Sequence, residues 1–287
     1  MTSKTKRLRE LLNQNKMIVA PGAPDALCAK IIERAGFDVC YMSGNASVAS
    51  MIGKPDIGLA TFDEMLTHAK NIAACIDIPL ICDADTGYGN VNNVIRTVQA
   101  YERAGIAGIH IEDQVTPKKC GAMDGVDLIP LDESVEKIKA AVYARQDSDF
   151  VIIARTDSRS VHGLDEAIKR VKAFEKAGAD IVYAEMLQSK EEVRKIVESV
   201  NVPVLFDMLE QSEDAFITND ELEELGVKIT IYPLSATFTI SQTITNLMTE
   251  LKSKGTTRGS FKKMMKLHDY EELLGLQKEQ DYQKMFK

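Results

Sequence analysis

The sequence predicts a (β/α)8 barrel, and three observations lead there. Eight short apolar runs alternate with longer helix-like patterns over 287 residues, the signature of parallel β/α architecture. A phrase ending in glycine recurs just ahead of a strand, as Glu33-Arg-Ala-Gly36, Glu102-Arg-Ala-Gly105, Glu175-Lys-Ala-Gly178 and Glu224-Leu-Gly226. Glycine there can take the left-handed conformation that stops a helix. The length suits one closed barrel, and no Gly-x-Gly-x-x-Gly fingerprint follows the first strand, which disfavours an open dinucleotide-binding sheet.

In chain order, an amphipathic helix runs to about Asn15. Short apolar runs bounded by turn residues then read as strands at Met17–Ala20, Asp38–Met42, Pro79–Asp83, Gly108–Glu112, Phe150–Ala154, Ile181–Ala184, Pro203–Phe206 and Lys228–Tyr232. Helical periodicity fills the intervals at Ala23–Ala35, Phe62–Ile76, Val91–Ala104, Leu131–Arg145, Leu164–Ala177, Lys190–Val200 and Asp220–Leu225, with a long helical tail from Phe238. No linker or low-complexity tract interrupts the pattern, so residues 1–251 read as the barrel and 252–287 as a C-terminal helical extension of the same domain. Its pieces, Phe261–Asp269 and Glu279–Phe286, follow the joint Lys254-Gly-Thr-Thr-Arg-Gly-Ser260, and an amphipathic tail on such a joint suits packing on a neighbouring subunit.

A net charge of −8 and a pI near 5.2 argue against nucleic acid or an anionic membrane as partner. No apolar run reaches the ~18 residues of a membrane span. The first residues carry no signal-peptide core, and the expected location is the cytoplasm. Cys28, Cys40, Cys75, Cys82 and Cys120 are an odd number without C-x-x-C spacing, which disfavours disulfides and structural zinc. Four lie in apolar runs or helix faces, where a thiol is a small core hydrophobe; Cys120 lies in a glycine-bearing stretch without apolar period.

Pro79-Leu-Ile-Cys-Asp-Ala-Asp-Thr-Gly-Tyr-Gly-Asn90 reads as a buried strand running into a polar turn. Strand side chains alternate faces, so Asp83 and Asp85 point to one spot. They either cap the following helix or answer their mutual repulsion with a cation, for which hard oxygen ligands suit Mg²⁺. Reacting groups of such a barrel gather at the carboxyl ends of its strands. Those ends carry Ser43-Gly44-Asn45, Asp83 and Asp85, Glu112-Asp113, Arg155-Thr-Asp157, Glu185 and Asp207. For Ser43, Asp113 and Asp157 a role as helix cap or in loop solvation accounts for the residue at least as well as a catalytic one. Arg155 and Glu185 each follow a wholly apolar run, which places them near the barrel axis. The chemistry suggested is a divalent metal on Asp83, Asp85 and Glu112, with Arg155 opposite to grip a carboxylate by its fork. A metal-bound 2-hydroxy or 2-oxo acid can accept charge on oxygen while a C–C bond breaks. His110 shares the face of Glu112, as a core histidine or as a group supporting the site. Thr116–Gly125 has the glycines and irregularity of a mobile lid. Lys118 and Lys119 beside Cys120 are expected to favour its thiolate and make it a proton donor or acceptor; the alternative is an exposed loop cysteine.

Six phrases together resemble the isocitrate lyase and phosphoenolpyruvate mutase superfamily, over nearly the whole chain: Tyr41-Met-Ser-Gly44, Asp83-Ala-Asp-Thr-Gly-Tyr-Gly89, His110-Ile-Glu-Asp-Gln114, Lys118-Lys-Cys-Gly121, Ala154-Arg-Thr-Asp157 and Tyr232-Pro-Leu-Ser-Ala236. The resemblance implies a Mg²⁺-dependent barrel, with Mn²⁺ as a possible substitute, in a homotetramer whose last helix swaps between neighbours. It implies metal ligands Asp83, Asp85 and Glu112, and substrate-binding residues Ser43, Gly44, Asn45, Asp56, Gly121, Arg155, Glu185 and Asp207. Tyr41 would stand near the hydroxyl proton, Lys118-Lys-Cys-Gly121 would be the gating loop, and Cys120, assisted by Lys119 and Arg155, would protonate the carbanion left by cleavage. The loop cysteine resembles the lyase branch.

Three positions depart from the family pattern. Ala122 stands where lyases commonly carry His, Asp207-Met-Leu-Glu210 replaces an Asn-x-Thr-Glu segment that grips the succinate half of a tricarboxylate, and Phe238 stands near the place of an arginine. A third substrate carboxylate left uncompensated there would cost roughly 3–5 kcal/mol, which favours a smaller or more apolar substrate. The expected activity is retro-aldol cleavage of a small 2-hydroxy dicarboxylate of the 2,3-dimethylmalate kind to a 2-oxo acid and a carboxylic acid. The alternatives are 2-methylisocitrate cleavage, then oxaloacetate hydrolysis or decarboxylation or phosphonomutase chemistry, and, in another class, a non-catalytic metal and 2-oxo-acid binder.

Overall fold

The computed structural model describes residues 3–210 and 216–287. Eight strands, β1 (Ile18–Pro21), β2 (Cys40–Met42), β3 (Leu80–Asp83), β4 (Gly108–Glu112), β5 (Val151–Thr156), β6 (Ile181–Ala184), β7 (Val204–Asp207) and β8 (Ile229–Tyr232), form one parallel sheet. Its hydrogen-bonded order is β1-β8-β7-β6-β5-β4-β3-β2. The remaining seam, between β1 and β2, is closed by a Gly22–Tyr41 bridge and by the Ala23 N–H donating to the Tyr41 carbonyl at 2.8 Å. Every predicted strand is present, with no end displaced by more than two residues.

The helices are α1 (Lys4–Leu12), α2 (Ala26–Arg34), α3 (Gly44–Ile52), α4 (Phe62–Cys75), α5 (Val91–Arg103), α6 (Leu131–Ala144), α7 (Ser158–His162), α8 (Leu164–Ala177), α9 (Lys190–Ser199), α10 (Asn219–Glu224), α11 (Ser235–Lys254), α12 (Leu267–Leu274) and α13 (Leu276–Met285). Periodicity does not reveal α3 or α7. The sequence of α3, Gly-Asn-Ala-Ser-Val-Ala-Ser-Met-Ile, has small residues in place of an apolar stripe, and the helix is held by the Ser43 cap and by burial of Gly44, Ala46, Ser47 and Val48. The predicted start of α2 at Ala23 moves to Ala26, because Ala23 closes the barrel and Asp25 caps the helix.

The recurring phrase does end helices: Gly36, Gly105, Gly178 and Gly226 all have positive φ. Its glutamate has a further role that the pattern alone did not disclose. Glu33 accepts from the Asp77 and Ile78 N–H groups ahead of β3, Glu102 from Gln146 and Asp147 ahead of β5, and Glu175 from Asn201 ahead of β7. Glu223, the neighbour of the predicted Glu224, accepts from Met17 ahead of β1 at 2.7 Å. A carboxylate thus satisfies donors that a strand entrance would leave orphaned.

Alternation along the strands divides their side chains into two sets. Cys40, Met42, Leu80, Cys82, Ile109, Ile111, Ile152, Ala154, Val182 and Val204 pack outward into the helix layer. Ile18, Ala20, Tyr41, Ile81, Val151, Ile153, Ile181, Tyr183, Leu205, Ile229 and Ile231 fill the barrel interior, together with Leu8 of α1. Leu8 is fully buried. Around it α1 is tied across the amino-terminal end of the barrel, with Lys4 donating to the Ala73 and Ile76 carbonyls and Arg9 to those of Ser148, Asp149 and Phe150. The interior set, continued two residues further, becomes polar at the opposite end.

The tail lies differently. Helix α11 has no buried residue, and Phe238, Ile240, Ile244, Met248 and Leu251 are between 41% and 49% exposed. The predicted division at residue 252 falls inside this helix. Helix α12 rests on α2, with Leu273 buried and Arg34 donating to the Asp269 carbonyl. No helix of the described residues is long and apolar enough to cross a membrane.

Truncating the plug, Leu8→Ala, is expected to destabilise the fold by about 2–5 kcal/mol, the range for a buried leucine that leaves a cavity. Urea unfolding checks it through a lower midpoint at unchanged slope.

Candidate active site

At the carboxyl ends of the strands a narrow cleft is lined by residues from six strand ends and two loops, among them Tyr41, Ser43, Asn45, Asp56, Asp83, Lys118, Cys120, Gly121, Arg155, Glu185 and Asp207. About 30 Å³ of free space remains between them, room for about one water. A larger crevice of about 200 Å³ near Leu11, Lys16 and Phe37 lies at the other end of the barrel. Convergent charge locates the chemistry better than volume does.

Asp83 and Asp85 do not cap the next helix, which is capped by Asn90. Asp83 Oδ1 accepts from the Asp85 N–H at 2.8 Å and Oδ2 from the Gly44 N–H at 3.2 Å. A Cβ on Gly44 would collide with that carboxylate, so glycine permits the contact. Asp85 has φ 46°, and Tyr88 after it φ 61°, left-handed values that cost a non-glycine residue about 1–2 kcal/mol. Asp85 Oδ1 lies 2.7 Å from Lys118 Nζ, which also donates to Asp56 at 2.9 Å. Burial would lower the Lys118 ammonium, but Asp85, Asp83, Glu112 and Asp56 hold its pKa well above the usual value. Burial works against charge on Asp83 too, and His110, Lys118, Arg155 and the Asp85 N–H outweigh it, leaving a pKa of about 2. On Asp85 burial prevails over Lys118, with Asp83 and Asp56 adding to it, and the pKa rises to about 6.

Glu112 is buried at the end of β4, and neither carboxylate oxygen has a hydrogen-bond partner. Its nearest cation is Arg155, whose Nε is 3.5 Å from Oε2. Unpartnered anionic oxygen in such a place calls for a cation. Among the described residues no three His, Cys, Asp or Glu side chains are placed to hold a metal ion together, so the expected ligand trio of Asp83, Asp85 and Glu112 is not assembled; as hard oxygen donors they match in kind an ion such as Mg²⁺, which keeps several of its waters.

Arg155 is held as well as holding. Its Nε and Nη2 donate to Asp157 at 3.0 and 2.7 Å, Nη2 is 3.8 Å from Glu185, and the guanidinium lies over the Tyr183 ring at 5.1 Å. The bidentate partner expected from a substrate is therefore Asp157, while Arg155 still borders the cleft. The Asp157 N–H donates to Asp113, which pairs with buried Arg170 at 2.9 Å. Asp113 and Asp157 are thus neither solvated nor capping, whereas Ser43 is both the cap of α3 and a cleft residue. His110 Nε2 lies 2.8 Å from the Tyr41 hydroxyl and Nδ1 3.7 Å from Asp83. Burial brings the His110 pKa down to about 4, so the ring is neutral; it positions the Tyr41 hydroxyl, while Nδ1 has no hydrogen-bond partner.

The expected thiolate at Cys120 is not what the fold produces. Lys118 turns to Asp56 and Asp85, and Lys119 Nζ donates to the Gly125 carbonyl. Neither ammonium serves the thiol. Burial raises the Cys120 pKa, offset only in part by the Ala122 N–H and the Asn45 side chain. The thiol is therefore protonated at neutral pH. The loop is pinned by the Cys120 N–H on the Asp56 carbonyl (2.9 Å) and by paired bonds between Gln114 and Lys119. Gly121 abuts Asp157, Arg155 and Glu185, where any Cβ would clash.

Of the predicted set, Lys119 is directed away to the Gly125 carbonyl, Glu112 does not line the cleft and meets it only through Arg155, and Asp85 and Gly44 reach it through Lys118 and Asp83. Sequence reasoning missed Lys118 as the inward lysine, Tyr183, Asp157 as the holder of Arg155, and the apolar wall of Leu209, Pro233 and Leu234. The Lys-Lys pair held the first signal, but which lysine turns inward depends on the loop path. Tyr183 was visible as the inward residue two before Glu185.

The phosphoenolpyruvate phosphomutase family model matches residues 8–252. A 2,3-dimethylmalate lyase of Eubacterium barkeri is 46% identical over 95% of this chain and 94% of its own length. A 2-methylisocitrate lyase of Aeropyrum pernix is 41% identical over 92% and 88%. Among solved structures, oxaloacetate acetylhydrolase bound to 3,3-difluorooxalacetate superposes with a TM-score of 0.92 at 35% identity, covering 98% of this chain and 96% of that one. A 2,3-dimethylmalate lyase does so with 0.92 at 37%, covering 98% and 95%. Phosphonopyruvate hydrolase with oxalate and Mg²⁺ gives 0.87 at 29%, covering 98% of each. With strand-end acids, arginine and thiol loop on one barrel and these likenesses spanning its length, the chain belongs to the phosphoenolpyruvate mutase/isocitrate lyase superfamily.

Proposed function

We propose that this enzyme is a Mg²⁺-dependent carbon–carbon lyase that cleaves a small 2-hydroxy dicarboxylate, of the 2,3-dimethylmalate kind, to a 2-oxo acid and a carboxylic acid. The observation that carries the reading is a protonated, half-buried thiol facing Arg155 across one cleft, with the unpartnered Glu112 carboxylate 3.5 Å from that arginine. The substrate's 2-carboxylate sits between Arg155 and the amino-terminal end of α3, where Ser43, Gly44 and Asn45 present the positive end of the helix. Asp83, Asp85 and Glu112 would hold Mg²⁺ with its waters. When bound, the ion supplies positive charge to the oxygen that becomes the carbonyl.

The substrate hydroxyl would lose its proton to solvent as it enters, and the Tyr41 hydroxyl, held 2.8 Å from the neutral His110 Nε2, would donate to the oxygen left behind. The C2–C3 bond then breaks with its electron pair left on C3, and the Cys120 thiol protonates that carbon. A raised thiol pKa suits this acid role, so Ala122 in place of the loop histidine leaves the proton on sulfur. The walls at Leu209, Pro233 and Leu234 favour alkyl substituents, and Asp207 and Glu210 disfavour a third carboxylate. The 2-methylisocitrate reading is second, supported by the Aeropyrum relative. The exposed apolar face of α11 supports a homotetramer with swapped C-terminal helices.

Release of 2-oxo acid from 2,3-dimethylmalate, other alkylmalates, 2-methylisocitrate, isocitrate and oxaloacetate decides the substrate. An alkylmalate is expected to lead in kcat/KM by about tenfold or more, about 1.4 kcal/mol of transition-state preference. A lead by 2-methylisocitrate or oxaloacetate overturns the assignment. No turnover, with Mg²⁺ and pyruvate still raising the melting temperature, identifies a non-catalytic binder.

Cys120→Ser is expected to lower kcat by about 10²–10⁴-fold, the usual contribution of a positioned acid, with the folded state unchanged by circular dichroism. Full activity in that variant defeats the thiol's role. Chelation by EDTA, or Asp85→Ala, is expected to abolish turnover, and Mg²⁺ or Mn²⁺ to restore it only in the chelated wild type.

A further inference from the structure

Tyr183 stands on the barrel axis between two acids. Its hydroxyl reaches Glu185 Oε2 on one side and Asp207 Oδ2, at 3.1 Å, on the other. A phenol has one proton to donate, so two ionised carboxylates cannot both be satisfied by it. Both contacts become hydrogen bonds when one acid keeps its proton and donates to the phenol oxygen, while the phenol donates to the other. Glu185 is the acid with a cation at hand, Arg155 Nη2 at 3.8 Å. Asp207 has none, its Oδ1 is buried without a partner, and its side chain lines the cleft.

We propose that Asp207, Tyr183 and Glu185 form a proton-sharing acid pair that carries a single negative charge, with the proton on Asp207, and that this proton admits a dianionic substrate to the acid-lined cleft. The proposal rests on the lyase reading only for the identity of that dianion. The groups facing the pair are Arg155 from β5 and Asp157 just after it, Asp83 from β3, the neutral His110 from β4, whose ring meets that of Tyr183 edge-on at 5.8 Å, Tyr41 from β2, Glu210 after β7 and Cys120 on the loop. Apart from Arg155 these groups are acidic or neutral, so losing the shared proton places a second charge where a single cation must answer it. The direction agrees: burial raises Asp207, with Glu185 adding to it, and Arg155 and Tyr183 offset this only in part.

Two measurements test this on the full chain. The first needs no substrate. Infrared spectra at neutral pH are expected to show one protonated-carboxyl C=O band fewer in Asp207→Asn than in wild type, and Tyr183→Phe is expected to shift that band or remove it. An unchanged band in Asp207→Asn overturns the proposal, whatever the enzyme turns over. The second uses the best substrate of the panel, with KM followed between about pH 6 and 9. A KM that rises toward tenfold per pH unit on the alkaline side, with a change under about threefold over the same range in Asp207→Asn, supports the gating role. The same alkaline rise in both proteins overturns it. Absence of turnover bears on the lyase reading and leaves the infrared result to decide the pair.

Discussion

Excess buried negative charge is the constraint from which the rest of the site follows. Asp56, Asp83, Asp85, Glu112, Asp157, Glu185 and Asp207 meet at one end of the barrel, and Lys118 and Arg155 are the cations among them. Like charges in low dielectric are tolerated only when each is given a cation, a proton or a fixed donor. All three remedies are present. Lys118 bridges Asp56 and Asp85, Arg155 is forked onto Asp157, Asp83 takes two backbone N–H groups, and burial raises the pKa of Asp85, Glu112, Glu185 and Asp207.

One remedy joins two roles in one segment. The lysine that compensates Asp56 and Asp85 belongs to the same loop as Cys120, so a single stretch of chain supplies both the ammonium and the thiol. Backbone distortion concentrates in the same place. Among the described residues the non-glycine residues with positive φ are Asp85 and Tyr88, on the turn that follows Asp83, and Met186, next to Glu185, and left-handed values of this kind persist only where surrounding contacts over-determine them.

The opposite end of the barrel carries the stability that this strain draws on. Leu8 and the interior aliphatic layers are buried, the strand entrances are satisfied by the recurring glutamates, and α1 covers that end. The separation is physical: apolar layers on the axis isolate the charged end, and strand direction sends every polar end residue the same way.

Periodicity and punctuation in the sequence were enough to determine the eight strands, their parallel order around a barrel, and the gathering of Asp83, Glu112, Arg155, Glu185 and Asp207 at one end. Alternation along a strand is local and needs no knowledge of the neighbours. Helix α3 was illegible because small residues form it by burial and not by an amphipathic stripe. Which of Lys118 and Lys119 turns inward, and that Cys120 keeps its proton, could not be read from adjacency. A lysine next to a cysteine in the chain says nothing of where its four-carbon stem leads. Only the tertiary structure decided those points, together with the grip of Asp157 on Arg155 and the place of Tyr183 between two acids, because a pKa depends on burial and on charges brought from distant strands.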